Sequence, residues 1–164
     1  MNAPPTIHPS PSMLQRFLFG GPGGAAPIAD AGLLVLRLLA GLALAFAHGL
    51  GKIPPSEQFV GMVGGLGFPL PGLFAWAAGL AEFGGGLLLA VGLLTRPAAL
   101  VVAINMAVAF FLAHADDPFG QAEKAYLFGA VALLFLLAGA GRYSVDAVIR
   151  GRRGEQVVSR YARG

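Results

Sequence analysis

Apolar residues in this chain are gathered into four long blocks instead of being scattered at the spacing of a soluble core. The blocks lie at about residues 31–51, 73–94, 98–113 and 122–139. A helix needs about 20 consecutive apolar residues to cross the hydrocarbon of a bilayer. The pattern therefore predicts an all-α, membrane-spanning four-helix bundle, in which the short third and fourth spans begin in the interface.

The connections between the blocks carry helix and turn signals. Ser56 precedes the apolar stretch 59–66, which predicts a short interfacial helix capped by Ser56 and lying along the outer surface. Thr95 and Pro97 predict a tight hairpin between the second and third spans, with Thr95 as the cap and Pro97 in the first helical turn. Residues 114–121 connect the third and fourth spans.

The two ends differ from the membrane domain that we assign to residues 31–146. Residues 1–30 are rich in proline and glycine, which predicts a flexible cytoplasmic leader. The leader is not a secretory signal, because its apolar piece at 17–19 is too short. Residues 147–164 form a basic cytoplasmic tail, for which we expect anionic lipid headgroups as partners in preference to nucleic acid.

The positions of arginine and lysine predict the orientation. With the N-terminus inside, the inner side receives Arg16, Arg96, Arg142 and the tail arginines, and the outer side receives only Lys52 and Lys124. This agrees with the excess of positive charge in cytoplasmic loops. We therefore expect a multi-pass protein of the cell inner membrane with both termini cytoplasmic.

The amino-acid composition supports a membrane protein and limits the chemistry that this chain can perform. The 164 residues are 56% hydrophobic and 12% charged, with mean hydropathy +0.72, whereas soluble domains carry about 25% charged residues. The length suits one domain. Cysteine is absent, which excludes disulfides, thiolate metal ligands and a thiol relay within this chain.

Three polar side chains inside the blocks are the main candidates for a functional cluster: Arg37, Glu82 and Asn105. Charged groups in a bilayer are costly and commonly mark functional sites. Glu82 and Asn105 lie near the middle of their spans, and the long Arg37 side chain could reach Glu82. The hypothesis is an Arg37–Glu82 pair to which Asn105 hydrogen-bonds. The alternative is that the pair only fixes helix register.

Periodicity places these groups on interior helix faces. In the first span, polar and small residues recur at a spacing of three or four, at Arg37, Gly41, Ala45, His48 and Lys52. The second span has a matching face at Ala78, Glu82 and Gly86, with two further glycines beside it. Small residues let two membrane helices approach closely. The pattern predicts that these two faces pack together and that Glu82 points away from lipid.

Four residues are outer-face polar candidates: His48, Lys52, His114 and Tyr126. Two histidines without cysteine make a weak ligand set, so we expect no metal site. Interfacial side chains reaching for water explain the histidines and Lys52, and Tyr126 suits an aromatic belt. The sequence assigns no catalytic residue.

Several of these segments together resemble the DoxX family. The resemblance covers about residues 31–146 and rests on LRL at 36–38, HGL at 48–50, AGLAEFGGG at 78–86, GLLTR at 92–96, Asn105, and GRYSVD at 141–146. It implies a four-helix membrane bundle in a redox setting, since the family is named for a membrane subunit of a thiosulfate:quinone oxidoreductase. By this resemblance, Arg37, Glu82 and Asn105 occupy positions at which the family carries polar residues.

Three functions follow as hypotheses. The first is a membrane subunit of a redox system, in which the bundle contacts quinone or docks a soluble oxidoreductase. The second is a non-catalytic assembly or interaction protein, whose small-residue faces pack against partner helices. The third is a small proton or solute transporter, which with four helices would need to form a homo-oligomer.

Overall fold

The computed structural model describes residues 27–151, and this part of the chain is helical with no strand. The helices are α1 (Pro27–Lys52), α2 (Glu57–Gly65), α3 (Pro71–Val91), α4 (Thr95–Ala113) and α5 (Phe119–Ala138). A further helix, α6, begins at residue 145 and reaches the last described residue. Helices α1, α3, α4 and α5 are long and apolar enough to cross a membrane, which confirms the four predicted spans.

The first span starts four residues earlier than predicted. Proline lacks a backbone N–H but suits the first helical turn, and Asp30 follows in that turn, where a carboxylate is favourable. The rest of the predicted leader, residues 1–26, and most of the predicted tail, residues 152–164, lie outside the described residues.

The predicted helix between the first two spans is α2. The Ser56 hydroxyl caps it by accepting a hydrogen bond from the Phe59 backbone N–H at 3.2 Å. One buried residue, Val63, anchors it against the bundle, and α2 packs on α3. This short helix therefore forms a wall beside the second span.

Helix α3 is the central element of the bundle. It packs against α1, α4 and α2, while α4 also packs against α5. About twice as much of α3 is buried as of α4 or α5. The core on these helices combines small and large apolar side chains, namely Leu44, Leu89, Ala98, Ala99, Val102, Met106, Ala125, Ala132 and Phe135.

The predicted small-residue faces of α1 and α3 are in direct contact. A Cβ added to Gly41 would lie 2.6 Å from the Gly86 carbonyl oxygen, and a Cβ added to Gly86 would lie 2.7 Å from the Gly41 carbonyl oxygen. Ala45 is fully buried at the same interface. Backbone therefore meets backbone here, as small residues permit in membrane helices.

Two spans contain π-helical segments. α1 changes from α to π geometry at Ala43–Gly49, and α4 does so at Ala109–Ala113. The wider turn rotates the residues that follow relative to a regular α-helix, and such segments recur at functional sites. The first segment ends three residues before Lys52, with a 3-10 turn at Leu50–Lys52 after it, and the second ends directly before His114. Both segments therefore help to set the directions of these side chains.

The hairpin between α3 and α4 is capped by Asp146 and not, as predicted, by Thr95. Gly92 ends α3 with φ +69°, and a Cβ there would overlap the Arg37 guanidinium. Thr95 is the first residue of α4. The two Asp146 carboxylate oxygens accept from the backbone N–H groups of Leu94 at 2.8 Å and Thr95 at 2.9 Å. A carboxylate from a distant segment therefore replaces the hydroxyl cap that local sequence suggested.

Candidate functional site

The Glu82 side chain is the centre of a buried polar cluster. Its Oε1 lies 2.6 Å from Lys52 Nζ and accepts a hydrogen bond from Asn105 Nδ2 at 3.1 Å. Only 4% of the Glu82 side chain is exposed, compared with 33% of the Lys52 side chain. Oε2 is buried and has no hydrogen-bond partner among the described residues. One carboxylate oxygen is therefore fixed by the protein, and the other is available to a ligand.

Three helices bring these groups together. Glu82 and Asn105 lie at the middle of α3 and α4, at the common depth that the sequence indicates. Lys52 ends α1, and its backbone lies beside Gly79, where an added Cβ would be 3.0 Å from the Lys52 carbonyl oxygen. Gly79 is one helical turn from Glu82, a gap that the long lysine side chain spans.

The cluster forms the polar part of a cavity of about 380 Å³ between α2, α3 and α4. Its other walls are mainly apolar, and they include Phe59, Met62, Val63, Leu66, Phe68, Phe74, Ala81, Val108 and Ala109. Val101 and Ile104 also line it and are 50% and 58% exposed. Because exposed apolar residues of a spanning helix face lipid, the cavity opens sideways toward the membrane.

Arg37 does not form the predicted pair with Glu82. It is buried, and its guanidinium donates through Nη1 to the Ala140 carbonyl at 3.2 Å and through Nη2 to the Tyr143 carbonyl. It lies against Gly92, which is ten residues along α3 from Glu82, or about 15 Å. The Arg37 side chain therefore extends toward the segment after α5. Lys52 occupies the position beside the Glu82 carboxylate that was predicted for Arg37.

Arg37 instead belongs to a second buried group that closes the end of the bundle where residues 27 and 151 lie. The Arg142 backbone N–H donates to Asp30 Oδ1 at 2.9 Å, and the Ser144 hydroxyl donates to the Gly141 carbonyl at 2.7 Å. Asp146, which caps α4, is 2% exposed. Asp30, Arg37, Ser144 and Asp146 thus form one buried group, whose contacts connect α1 and the start of α4 to the segment that follows α5.

The remaining predicted candidates lie at the opposite end. His48 is half-buried and its ring packs edge-on against Phe128. His114 Nδ1 lies 2.8 Å from Asp117 Oδ2, and the His114 side chain lines the cavity. Tyr126 is 53% exposed among the rings of Phe110 and Phe119. His114 therefore joins the Glu82 site, and His48 and Tyr126 do not.

Sequence reasoning missed the roles of Asp30 and Asp146. Each is a lone acid beside an apolar block, and a buried carboxylate needs donors. Asp146 stands at the end of the motif at 141–146, which carries part of the resemblance to the DoxX family. Both acids therefore indicate a need for hydrogen-bond donors. The donors are backbone groups far away in the sequence, which the sequence pattern does not identify.

Comparison with known proteins finds a match to the DoxX family model over residues 32–115. The chain is 30% identical over 130 residues to a protein named "Putative oxidoreductase CatD" from Bacillus subtilis (strain 168), covering 78% of this chain and 95% of that protein. It is 33% identical over 129 residues to "Inner membrane protein YqjF" from Escherichia coli (strain K12), covering 73% and 93%. No solved structure matches.

Proposed function

Because the chain belongs to the DoxX family, we propose that it is a membrane subunit of a redox system whose cavity binds a quinone or its quinol. One observation carries this proposal. A buried carboxylate oxygen without a hydrogen-bond partner, Glu82 Oε2, lies at the polar part of a cavity that is otherwise mainly apolar. We place the chain in the inner membrane with both termini cytoplasmic, which the distribution of arginines supports.

The size and lining of the cavity suit a quinone ring. Ligand pockets typically measure about 300–1,000 Å³ and combine apolar walls with a few polar groups. At about 380 Å³, this cavity is at the small end of that range, which favours a single ring with a short part of its tail. The sideways opening beside Val101 and Ile104 gives the rest of a tail a path into lipid.

The polar cluster supplies the right hydrogen-bonding groups. Lys52 and Asn105 donate to Glu82 Oε1 and so hold the carboxylate in place. Glu82 Oε2 can then accept from a quinol hydroxyl, or donate to a quinone carbonyl when the carboxyl is protonated. Reduction of a quinone to its quinol takes up two electrons and two protons. Glu82, when protonated, is placed to give one proton to a quinone carbonyl, and solvent supplies the second.

The reduction also needs an electron donor. The sequence has no cysteine, and the described residues contain no group of three or more metal-ligating side chains. We propose that a soluble flavin- or nicotinamide-dependent oxidoreductase transfers two electrons from its reduced cofactor to the bound quinone. The name of the Bacillus subtilis relative contains "oxidoreductase", which supports a redox role.

The proposal is tested by quinone binding to the protein purified in mild detergent. Tetramethylbenzoquinone is titrated against the wild type, Glu82→Leu and the lipid-facing control Leu133→Ala, while the unfolding temperature is followed. Ligand that binds only the folded state raises this temperature. We expect stabilisation of the wild type and the control, with affinity reduced about tenfold in Glu82→Leu, because leucine can neither donate to nor accept from the ligand.

A second measurement identifies natural ligand by chromatography of the lipid extract from the same preparation. Quinone in stoichiometric amount supports the proposal. An extract without quinone, together with no stabilisation by the added quinone, would overturn it. That result would leave the assembly and transport hypotheses for this chain.

A further inference from the structure

His114 is a second polar group on the wall of the Glu82 cavity. His114 directly follows α4 and lies nine residues after Asn105 in the sequence, which corresponds to about 13 Å along the helix axis. Asn105 is bonded to Glu82, so His114 lies toward the other end of the same space. The cavity therefore has polar groups at two places, separated by apolar walls.

The hydrogen bonding of His114 determines what its ring can offer. Asp117 Oδ2 engages Nδ1 at 2.8 Å. A carboxylate holds the proton of a neutral imidazole on the nitrogen that it contacts, which leaves the other nitrogen as an acceptor. Nε2 of His114 is therefore the nitrogen available to a ligand, and in the neutral ring it accepts a hydrogen bond.

Among the described residues, few other polar groups line the space beside His114. His114 also lines a neighbouring pocket of about 290 Å³, where Asp117 is the other polar residue and the remaining lining residues are apolar. In the cavity itself, the charged groups are Lys52 on α1 and Glu82 on α3, and the α2 residues on the wall are apolar. Asp117 is thus the hydrogen-bond partner of His114, and Lys52 is bonded to Glu82.

We propose that His114 is the second recognition point of the site and makes it selective for a para-hydroquinone. This inference rests on the proposed function and names the ligand form more closely. One quinol hydroxyl donates to Glu82 Oε2, and the hydroxyl at the opposite end of the ring donates to His114 Nε2. A ligand with a single hydroxyl satisfies only one of these acceptors, so it binds more weakly.

The test compares two ligands that differ by one hydroxyl, tetramethylhydroquinone and 2,3,5,6-tetramethylphenol. Dissociation constants are measured under anaerobic conditions for the full-length wild type in mild detergent. Since one neutral hydrogen bond is at stake, the hydroquinone is expected to bind about threefold to tenfold more tightly. The same pair is then measured on His114→Leu, and on His48→Leu as the matched control, since His48 does not line the cavity.

The results separate the inference from the proposed function. Discrimination that is present in the wild type and in His48→Leu but falls to within about twofold in His114→Leu supports the inference. Equal binding of the two ligands by the wild type overturns it without reference to any variant, and so does discrimination that survives in a folded His114→Leu. Failure of both ligands and of the quinone to bind overturns the proposed function and this inference together.

Discussion

Lys52 Nζ lies 2.6 Å from Glu82 Oε1, although the two residues come from the end of one span and the middle of the next. The lysine is one-third exposed, while the glutamate is almost fully enclosed. The pair therefore connects the outer part of the cavity with its buried acid. Removing one charge of the pair therefore has different effects for the two residues. Without Lys52, the unpaired Glu82 carboxylate is buried, whereas without Glu82 the unpaired Lys52 ammonium is partly exposed to solvent.

Lys52→Met is expected to destabilise the protein more than Glu82→Gln. Removing Lys52 leaves a buried carboxylate without its counter-charge, which costs about 1–3 kcal/mol once the partial exposure of the pair is considered. The double variant should recover part of this loss, since it contains no unpaired charge. The free energy of unfolding in detergent is measured for the wild type, the two single variants and the double variant. If the loss in the double variant equals the sum of the losses in the single variants, the pairing is contradicted.

Gly86→Ala is expected to destabilise the bundle, whereas Gly84→Ala is its matched control. A Cβ on Gly86 would lie 2.7 Å from the Gly41 carbonyl, while a Cβ on Gly84 meets nothing within 4 Å. Overpacking of this kind costs about 1–3 kcal/mol. The measurement is the difference in unfolding free energy between the two variants, and equal stability would show that α1 and α3 do not approach so closely.

Asp146→Ala is expected to lower stability by about 0.5–2 kcal/mol, the usual value of a helix N-cap. The two backbone N–H groups at the start of α4 lose their acceptor. The exposed acid Asp116 gives the control variant Asp116→Ala. Hydrogen exchange should show faster exchange at Leu94 and Thr95 in Asp146→Ala only, and unchanged protection there would refute the cap.

Arg37→Gln separates the two buried polar groups. It removes the donors of the Ala140 and Tyr143 carbonyls. Only the contact to Ala140 is fully buried, and a buried unpaired acceptor costs about 1–3 kcal/mol. Quinone affinity should stay within about twofold of the wild type, because Arg37 does not line the cavity. Arg150→Gln serves as the exposed control. A strong loss of quinone affinity in a folded Arg37→Gln would contradict this separation and support the predicted pairing of Arg37 with Glu82.

The sequence predicted those features that depend on local pattern. Block length gave the four spans, Ser56 gave the cap of α2, and the spacing of small residues gave the Gly41–Gly86 contact. Mid-span positions also placed Glu82 and Asn105 at one depth. Each of these signals lies within one helix or compares positions along two helices.

The direction of long side chains and the contacts of distant segments were not predictable in this way. Arg37 and Lys52 are both on the predicted polar face of α1, and both are long enough to reach a buried acid. The π-helical segment between them changes the phase of the face, and the segment at 141–146 supplies carbonyls that attract Arg37. Neither feature has a signal in the spacing of apolar residues.

Photolabelling shows whether a quinone occupies the cavity at Lys52, Glu82 and Asn105. A photoreactive azidoquinone is bound to the wild type in liposomes, and the labelled peptides are identified by mass spectrometry. Labelling should be concentrated on α2 and on residues 101–114, be suppressed by excess tetramethylbenzoquinone and be reduced in Glu82→Leu. Labelling spread over lipid-facing positions of α5, such as Leu133 and Leu137, and insensitive to the competitor would contradict quinone binding in this cavity.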